Sequence, residues 1–151
     1  MILLDANVLV ASLDRRAAGH RASRAVVTAA RGRRLSAILV PQVLLEASAV
    51  LTDGRRAAAP LTPDVAWNEI STLAEAIPVV YPQRQALEEF THIMERRGPR
   101  AQAIFDAFLV AQMRAAGIGT ICTYNISDFT GYEGINPEAP DVLLARFGLT
   151  P

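Results

Sequence analysis

The chain has 151 residues, the size of one ordinary domain, with 51% hydrophobic and 20% charged residues and a mean hydropathy of +0.22. That balance supports a filled hydrophobic core and excludes a disordered chain. Net charge is zero, yet residues 1–59 hold 9 Arg against 4 acids and residues 60–151 hold 6 Arg against 11 acids, so a basic surface facing an anionic partner is compatible with neutrality overall.

All 15 basic residues are arginines and 26 residues are alanines, a bias of bacterial genomes rich in G and C. Every long apolar stretch is interrupted, at Asp5, Glu46 or Asp106, so no membrane-spanning helix is expected. Met1-Ile2-Leu3-Leu4-Asp5 has no basic leader, which points to a cytoplasmic protein. The single cysteine, Cys122, excludes an internal disulfide and a thiolate zinc site, and reads as a small buried apolar residue.

In chain order, Ile2–Leu4 reads as a short buried strand closed by Asp5, which can cap a helix that follows. Residues 17–30 carry apolar positions at helical spacing, with Gly32 as the stop. Leu35–Val40 reads as a second strand, and Pro41 suits the first turn of a helix running to about Thr52. A loop covers Asp53–Arg56 and Ala57–Pro63. A helix capped by Thr62 then runs to about Ala76, followed by an extended Pro78–Pro82. Helices are expected over Gln83–Arg97 and Gln102–Ala116, ended by Gly98-Pro99 and Gly117. Thr120–Thr123 reads as a strand, and the tail as a short strand near Ile135 and a helix from Pro140. Strands alternating with helices predict an α/β fold with a mainly parallel sheet covered on both faces. Sites in such sheets form beyond the carboxyl ends of the strands.

Three solitary acids stand out. Asp5 is the one charge in residues 1–13, Glu46 in 35–52 and Asp106 in 101–113. An unpaired carboxylate among apolar neighbours is costly, and no arginine in these segments neutralises it. For any one acid alone a helix cap or a solvent-facing position is the readier explanation, but Glu46 and Asp106 each lie inside an expected helix and would point along an apolar face. If the three converge at the sheet edge, their repulsion calls for a cation, and oxygen ligands favour Mg²⁺ or Mn²⁺ over zinc. Asp128, after Thr123-Tyr124-Asn125-Ile126-Ser127, is a fourth acid just beyond a strand. His20 and His92 read as partly exposed helical histidines.

Asp5-Ala6-Asn7-Val8-Leu9, Glu46, Phe105-Asp106-Ala107 and Thr123-Tyr124-Asn125-Ile126-Ser127-Asp128-Phe129, spaced 41, 60 and 22 residues from acid to acid, together resemble the PIN-domain ribonucleases. More narrowly they resemble the VapC-type toxins of toxin–antitoxin pairs, and the likeness spans nearly the whole chain. The resemblance implies a single PIN domain over 1–151, folded as an α/β/α sandwich. It also implies an endoribonuclease that hydrolyses RNA with a Mg²⁺- or Mn²⁺-activated water. Carried onto this sequence, it makes Asp5, Glu46, Asp106 and Asp128 catalytic metal ligands. Asn7, Thr123 and Asn125 become supporting polar groups that act directly or through water. The sequence departs from the family at the fourth acid, where many members have Asp at the position of Asn125. The implied partners are an RNA substrate, a VapB-type antitoxin and a second copy of the chain. Trp67, Ile70, Leu73 and Phe90 either supply an apolar surface for the antitoxin or belong to the core. Arg15, Arg16, Arg21 and Arg24, with Arg96, Arg97 and Arg100, are candidates for RNA contact or solvated helix faces. The main alternative is a non-catalytic PIN-like module that binds RNA or protein through an impaired metal site, for which Asn125 is the supporting feature. A phosphohydrolase with Asp5 as nucleophile ranks lower, because position 7 is Asn7 and the chain has no lysine.

Overall fold

The computed structural model describes residues 1–57 and 59–150. Ala58, inside the expected Ala57–Pro63 loop, lies outside the described residues. The elements are β1 (Ile2–Leu4), α1 (Ala6–Leu13), α2 (His20–Arg31), β2 (Ala37–Ile38), α3 (Pro41–Thr52), α4 (Pro63–Ala76), α5 (Arg84–Arg97), α6 (Ala103–Ala115), β3 (Thr120–Cys122), α7 (Ile126–Phe129), β4 (Asn136–Glu138) and α8 (Pro140–Arg146).

The four strands form one parallel sheet in the order β2-β1-β3-β4. Leu3 pairs with Ile38 on one side and Ile121 on the other, while Cys122 pairs with Glu138. A parallel bridge from Leu39 to Val79 extends the β2 edge and accounts for the extended stretch between the prolines. The connection from β1 runs outward to β2 and that from β3 runs the opposite way to β4. Right-handed crossovers therefore put helices on both faces, giving an α/β/α sandwich. Helix α2 packs against α1 and α8, and α6 packs against α5 and α7. The sheet centre is dry: Leu3, Leu4, Leu9, Ile121 and Leu109 are essentially inaccessible. Each such side chain contributes roughly 1.5–3 kcal/mol by burial.

The reversal of direction lies between β1 and β3, so the connections leaving their carboxyl ends part to opposite sides, the place where open α/β sheets form a crevice. Local sequence fixes what reaches it. Asp5 leaves β1 and caps α1, its carboxylate accepting from the Ala6 amide at 2.7 Å. Pro41 starts α3 and aims Glu46 from its second turn. Gly98, at φ +54°, adopts the left-handed conformation that ends α5 and lets the chain turn into α6.

Several expectations are corrected. Strand β2 is only Ala37–Ile38, because Leu39 pairs with Val79 instead. Thr62 stands at the α4 N-cap position, but its side chain makes no capping bond to the helix. The last strand, expected near Ile135, is Asn136–Glu138, and a helical turn, α7, which the sequence did not suggest, covers Ile126–Phe129. Ile70 and Leu73 are core residues, since α4 lays that face on α3. Phe90 is half-buried and packs edge-on against Phe108 at 5.4 Å. Of that group only Trp67 stands out as a surface residue, at 49% exposure beside Leu45 and Tyr81. Among the described residues no helix is long and apolar enough to cross a membrane.

Candidate active site

Asp5 is the most constrained member of the crevice. It is buried, and both carboxylate oxygens are used: Oδ1 accepts from the Ala6 amide, and Oδ2 accepts from the Thr123 hydroxyl at 2.6 Å and the Asn7 amide at 2.8 Å. Thr123 also accepts from the Asn7 amide at 3.0 Å and from the Asn125 backbone N–H at 3.0 Å. Asn7 closes the network by accepting from the Tyr124 backbone N–H at 3.2 Å. Burial lifts the Asp5 carboxyl above its usual range, and the Glu46 charge adds to that. The Thr123, Ala6 and Asn7 hydrogen bonds oppose it.

Glu46 and Asp106 do not lie on the buried faces of their helices. Both are half-buried, at the margin where α3 and α6 meet the crevice. Asp106 sits in the first turn of α6, where the helix dipole favours an anion. Its carboxyl is nevertheless pushed up to about 6, first by burial and then by the charges of Asp128, Asp5 and Glu46. The charges of three acids therefore reach Asp106, and Asp128, in the turn α7, acts most strongly of them. Asn125 is exposed and joins the network through its backbone amide, not its side chain.

Glu138, at the end of β4, shows what a neutralised acid looks like on the same sheet edge: Arg146 Nε lies 3.1 Å from it. None of Asp5, Glu46, Asp106 and Asp128 has an ion pair among the described residues. The donors fit a hard divalent cation in kind, being all carboxylate oxygens with uncompensated charge. Among the described residues, however, no three His, Cys, Asp or Glu side chains stand at ligating distance from one another.

Two glutamines that the sequence reading missed hold Glu46. Gln42 donates to its Oε1 at 2.8 Å and to the Phe105 carbonyl at 2.9 Å, while the buried Gln112 donates to Gln42 Oε1 at 2.8 Å. The chain ties α3 to α6 beside Asp106. Spacing offered a signal, since Gln42 precedes Glu46 by four residues on one helix face, and Gln112 is a polar residue inside the apolar face of α6. Tyr124 was also missed as a structural tie. Its hydroxyl donates to the Gly19 carbonyl at 2.9 Å and pairs with the Ser23 hydroxyl at 2.8 Å, so position 19 has no room for a Cβ.

A family model of the PIN domain matches residues 2–130. The chain belongs to the PIN domain family. Within it, the structure is similar to VapC20 of Mycobacterium tuberculosis, at 22% identity and TM-score 0.61 over 91% of this chain and 100% of that one. The VapBC2 structure of Rickettsia felis matches at 13% identity and TM-score 0.66, covering 92% and 98% of the two chains. The DNA-bound VapBC of Salmonella typhimurium matches at 17% identity and TM-score 0.66, covering 92% and 97%. No curated protein matches the chain by sequence. The likeness to these solved structures is one of fold.

Proposed function

We propose that this PIN domain, acting as a single domain over 1–151, is a Mg²⁺- or Mn²⁺-dependent endoribonuclease and the toxin of a bacterial toxin–antitoxin pair. The observation that carries the reading is the group of four acids without ion pairs among the described residues, Asp5, Glu46, Asp106 and Asp128, in which Asp106 is raised to about 6 by burial and then by the charges of the other three. The similar structures support the biological role: VapC20 is described as a sarcin-ricin loop cleaving toxin, and the VapBC structures are toxin–antitoxin assemblies. The proposed partners are accordingly a VapB-type antitoxin and a second copy of this chain, in the cytoplasm.

A divalent cation held by these carboxylates supplies a nucleophilic water at neutral pH and offsets charge on the phosphoryl oxygens. Asp5, fixed by Thr123, Asn7 and the Ala6 amide, is the rigid reference point of the site. Glu46 is oriented by Gln42, and Gln42 by Gln112. Asp106 and Asp128, more open to solvent, face the incoming phosphodiester. The acids see only phosphate, so sequence choice falls to basic and aromatic groups around the crevice.

The test is cleavage of total bacterial RNA by purified protein with Mg²⁺, Mn²⁺ or EDTA, with Asp5→Asn as control and mapping of the new 5′ ends. Discrete metal-dependent cuts, lost in the folded Asp5→Asn protein, are expected. The rival reading, a binding module, draws on the separation of the acids and on Asn125. Mg²⁺ binding without hydrolysis of any RNA by antitoxin-free protein would establish it.

A further inference from the structure

Helix α2, the turn after α1 and the C-terminal Leu149 and Thr150 form an open groove of about 740 Å³ lined by Arg15, His20, Arg21, Arg24 and Arg34, with no acid in its walls among the described residues. The four arginines are exposed and have no ion pair among the described residues. Arg21, Arg24 and Thr28 recur at helical spacing on the outer face of α2, while Ser23, Val26, Val27 and Ala30 face the core.

A second basic hollow, between α5, α6 and the loop before β4, differs in kind. Its walls include Glu89 and Glu133, and two of its three arginines, Arg97 and Arg114, are already engaged. Arg97 donates to the Gly131 carbonyl at 2.7 Å and stacks on Tyr132 at 4.0 Å, and Arg114 donates to the Glu133 carbonyl at 2.8 Å. Those arginines hold a loop. The α2 arginines hold nothing.

The groove is also joined to the acids. From Asp5 the path runs through Asn7 to the Tyr124 backbone, and from the Tyr124 hydroxyl to Gly19 and Ser23 at the start of α2. Tyr124 therefore touches the N-terminal end of α2 at Gly19, next in sequence to His20 of the groove wall. Tyr124, at 39% exposure, offers part of an aromatic ring at the junction.

We propose that the α2 groove holds the RNA strand as it leaves the acidic crevice, with Arg15, Arg21, Arg24 and Arg34 on its phosphates. This assignment rests on the ribonuclease reading for the identity of the strand. Positive charge alone would also suit an acidic polypeptide, but an exposed aromatic ring between the acids and the arginines fits an unstacked base followed by phosphates. The 12 residues of α2 span about 18 Å, room for a short run of nucleotides.

The experiment compares two triple variants, R15Q/R21Q/R24Q and R15K/R21K/R24K, in the non-cleaving Asp5→Asn background, with circular dichroism to verify the fold. Binding to a single-stranded RNA of about 20 nucleotides is measured from about 50 to 200 mM salt. Loss of three phosphate contacts lowers the slope of log affinity against log salt by about 2, roughly a 20-fold smaller change over that range. The glutamine variant should show that loss and the lysine variant should retain the parental slope. The same substitutions with Asp5 intact should raise KM for RNA with little change in kcat. An unchanged slope in a folded glutamine variant overturns the proposal, as does loss of polyglutamate binding with RNA binding intact. Cleavage by the native chain separates the two readings. Cleavage with an unchanged slope defeats the groove alone, and a reduced slope without native cleavage defeats the nuclease alone.

Discussion

Replacing Asp106 with Asn should stabilise the metal-free protein while removing its activity. In the folded chain the Asp106 carboxyl titrates at about 6, against 3.8 for the free side chain, raised by burial and by Asp128, Asp5 and Glu46. Above pH 6 it is ionised in the folded state and carries that penalty. As pH falls through 6, the folded state takes up a proton that the unfolded state binds only near 3.8. The folded state then holds more protons, so stability rises as pH falls across the window from about 6 to 4. A displacement of that size has a ceiling of about 3 kcal/mol, which solvent screening of a half-exposed side chain reduces to about 1 kcal/mol.

In EDTA at pH 7.5, Asp106→Asn should therefore exceed the native chain by about 1 kcal/mol in urea, or about 2–4 °C in Tm. The advantage should vanish by about pH 4. Adding Mg²⁺ should reverse the order, because a cation at about 100 times its Kd stabilises only the protein that binds it, by about 2.7 kcal/mol. A variant less stable than the native chain by the same amount at pH 7.5 and pH 4 would refute the reasoning, since Asp106 would then be a structural partner and not a repelled charge.

Thr123→Val keeps the shape of the side chain but removes the hydroxyl that Asp5 accepts from at 2.6 Å, so it should cost about 1–3 kcal/mol of stability. It should also lower metal affinity or activity by about 10–100-fold, read by calorimetry and RNA cleavage. Cys122 is buried on β3 and its thiol is pushed up to about 12 by burial and by Asp5, Glu138 and Asp141. It should resist a thiol-specific reagent at pH 8 until urea unfolds the chain, and rapid labelling of the native protein would contradict its burial.

The sequence made the sheet and the identity of the acids readable for a physical reason. A charge is conspicuous only where everything around it is apolar, and Asp5, Glu46 and Asp106 each interrupt such a run. Proline at the first turn fixed the starts of α3 and α4, and Gly98 after the last turn fixed the end of α5. What stayed hidden depends on contacts between distant segments. Gln42 and Gln112 are 70 residues apart and look like ordinary polar positions until α3 and α6 are packed. The tie from Tyr124 to Gly19 spans 105 residues. Periodicity left Ile70, Leu73 and Trp67 equivalent, because the choice between core and surface on α4 is made by where α3 lies.

The site divides its acids by rigidity, and that division follows from the topology. Asp5 and Thr123 end the two adjacent strands at which the connections diverge, so they are held by the sheet and bonded to each other. Glu46, Asp106 and Asp128 come from helices and are more exposed, Glu46 accepting one side-chain hydrogen bond from Gln42 and Asp128 one from Ser127. The charges of Asp128, Asp5 and Glu46 reach Asp106, yet among the described residues no three of these acids stand at ligating distance from one another. A cation would offset that repulsion between the helix-borne acids and the strand-borne one. The same electrostatics makes an arginine from a partner protein a plausible occupant in its place, because a guanidinium offers the acids positive charge and bidentate hydrogen bonds. Ordering of the crevice would then depend on which positive group arrives, while the strand ends that define its position stay fixed.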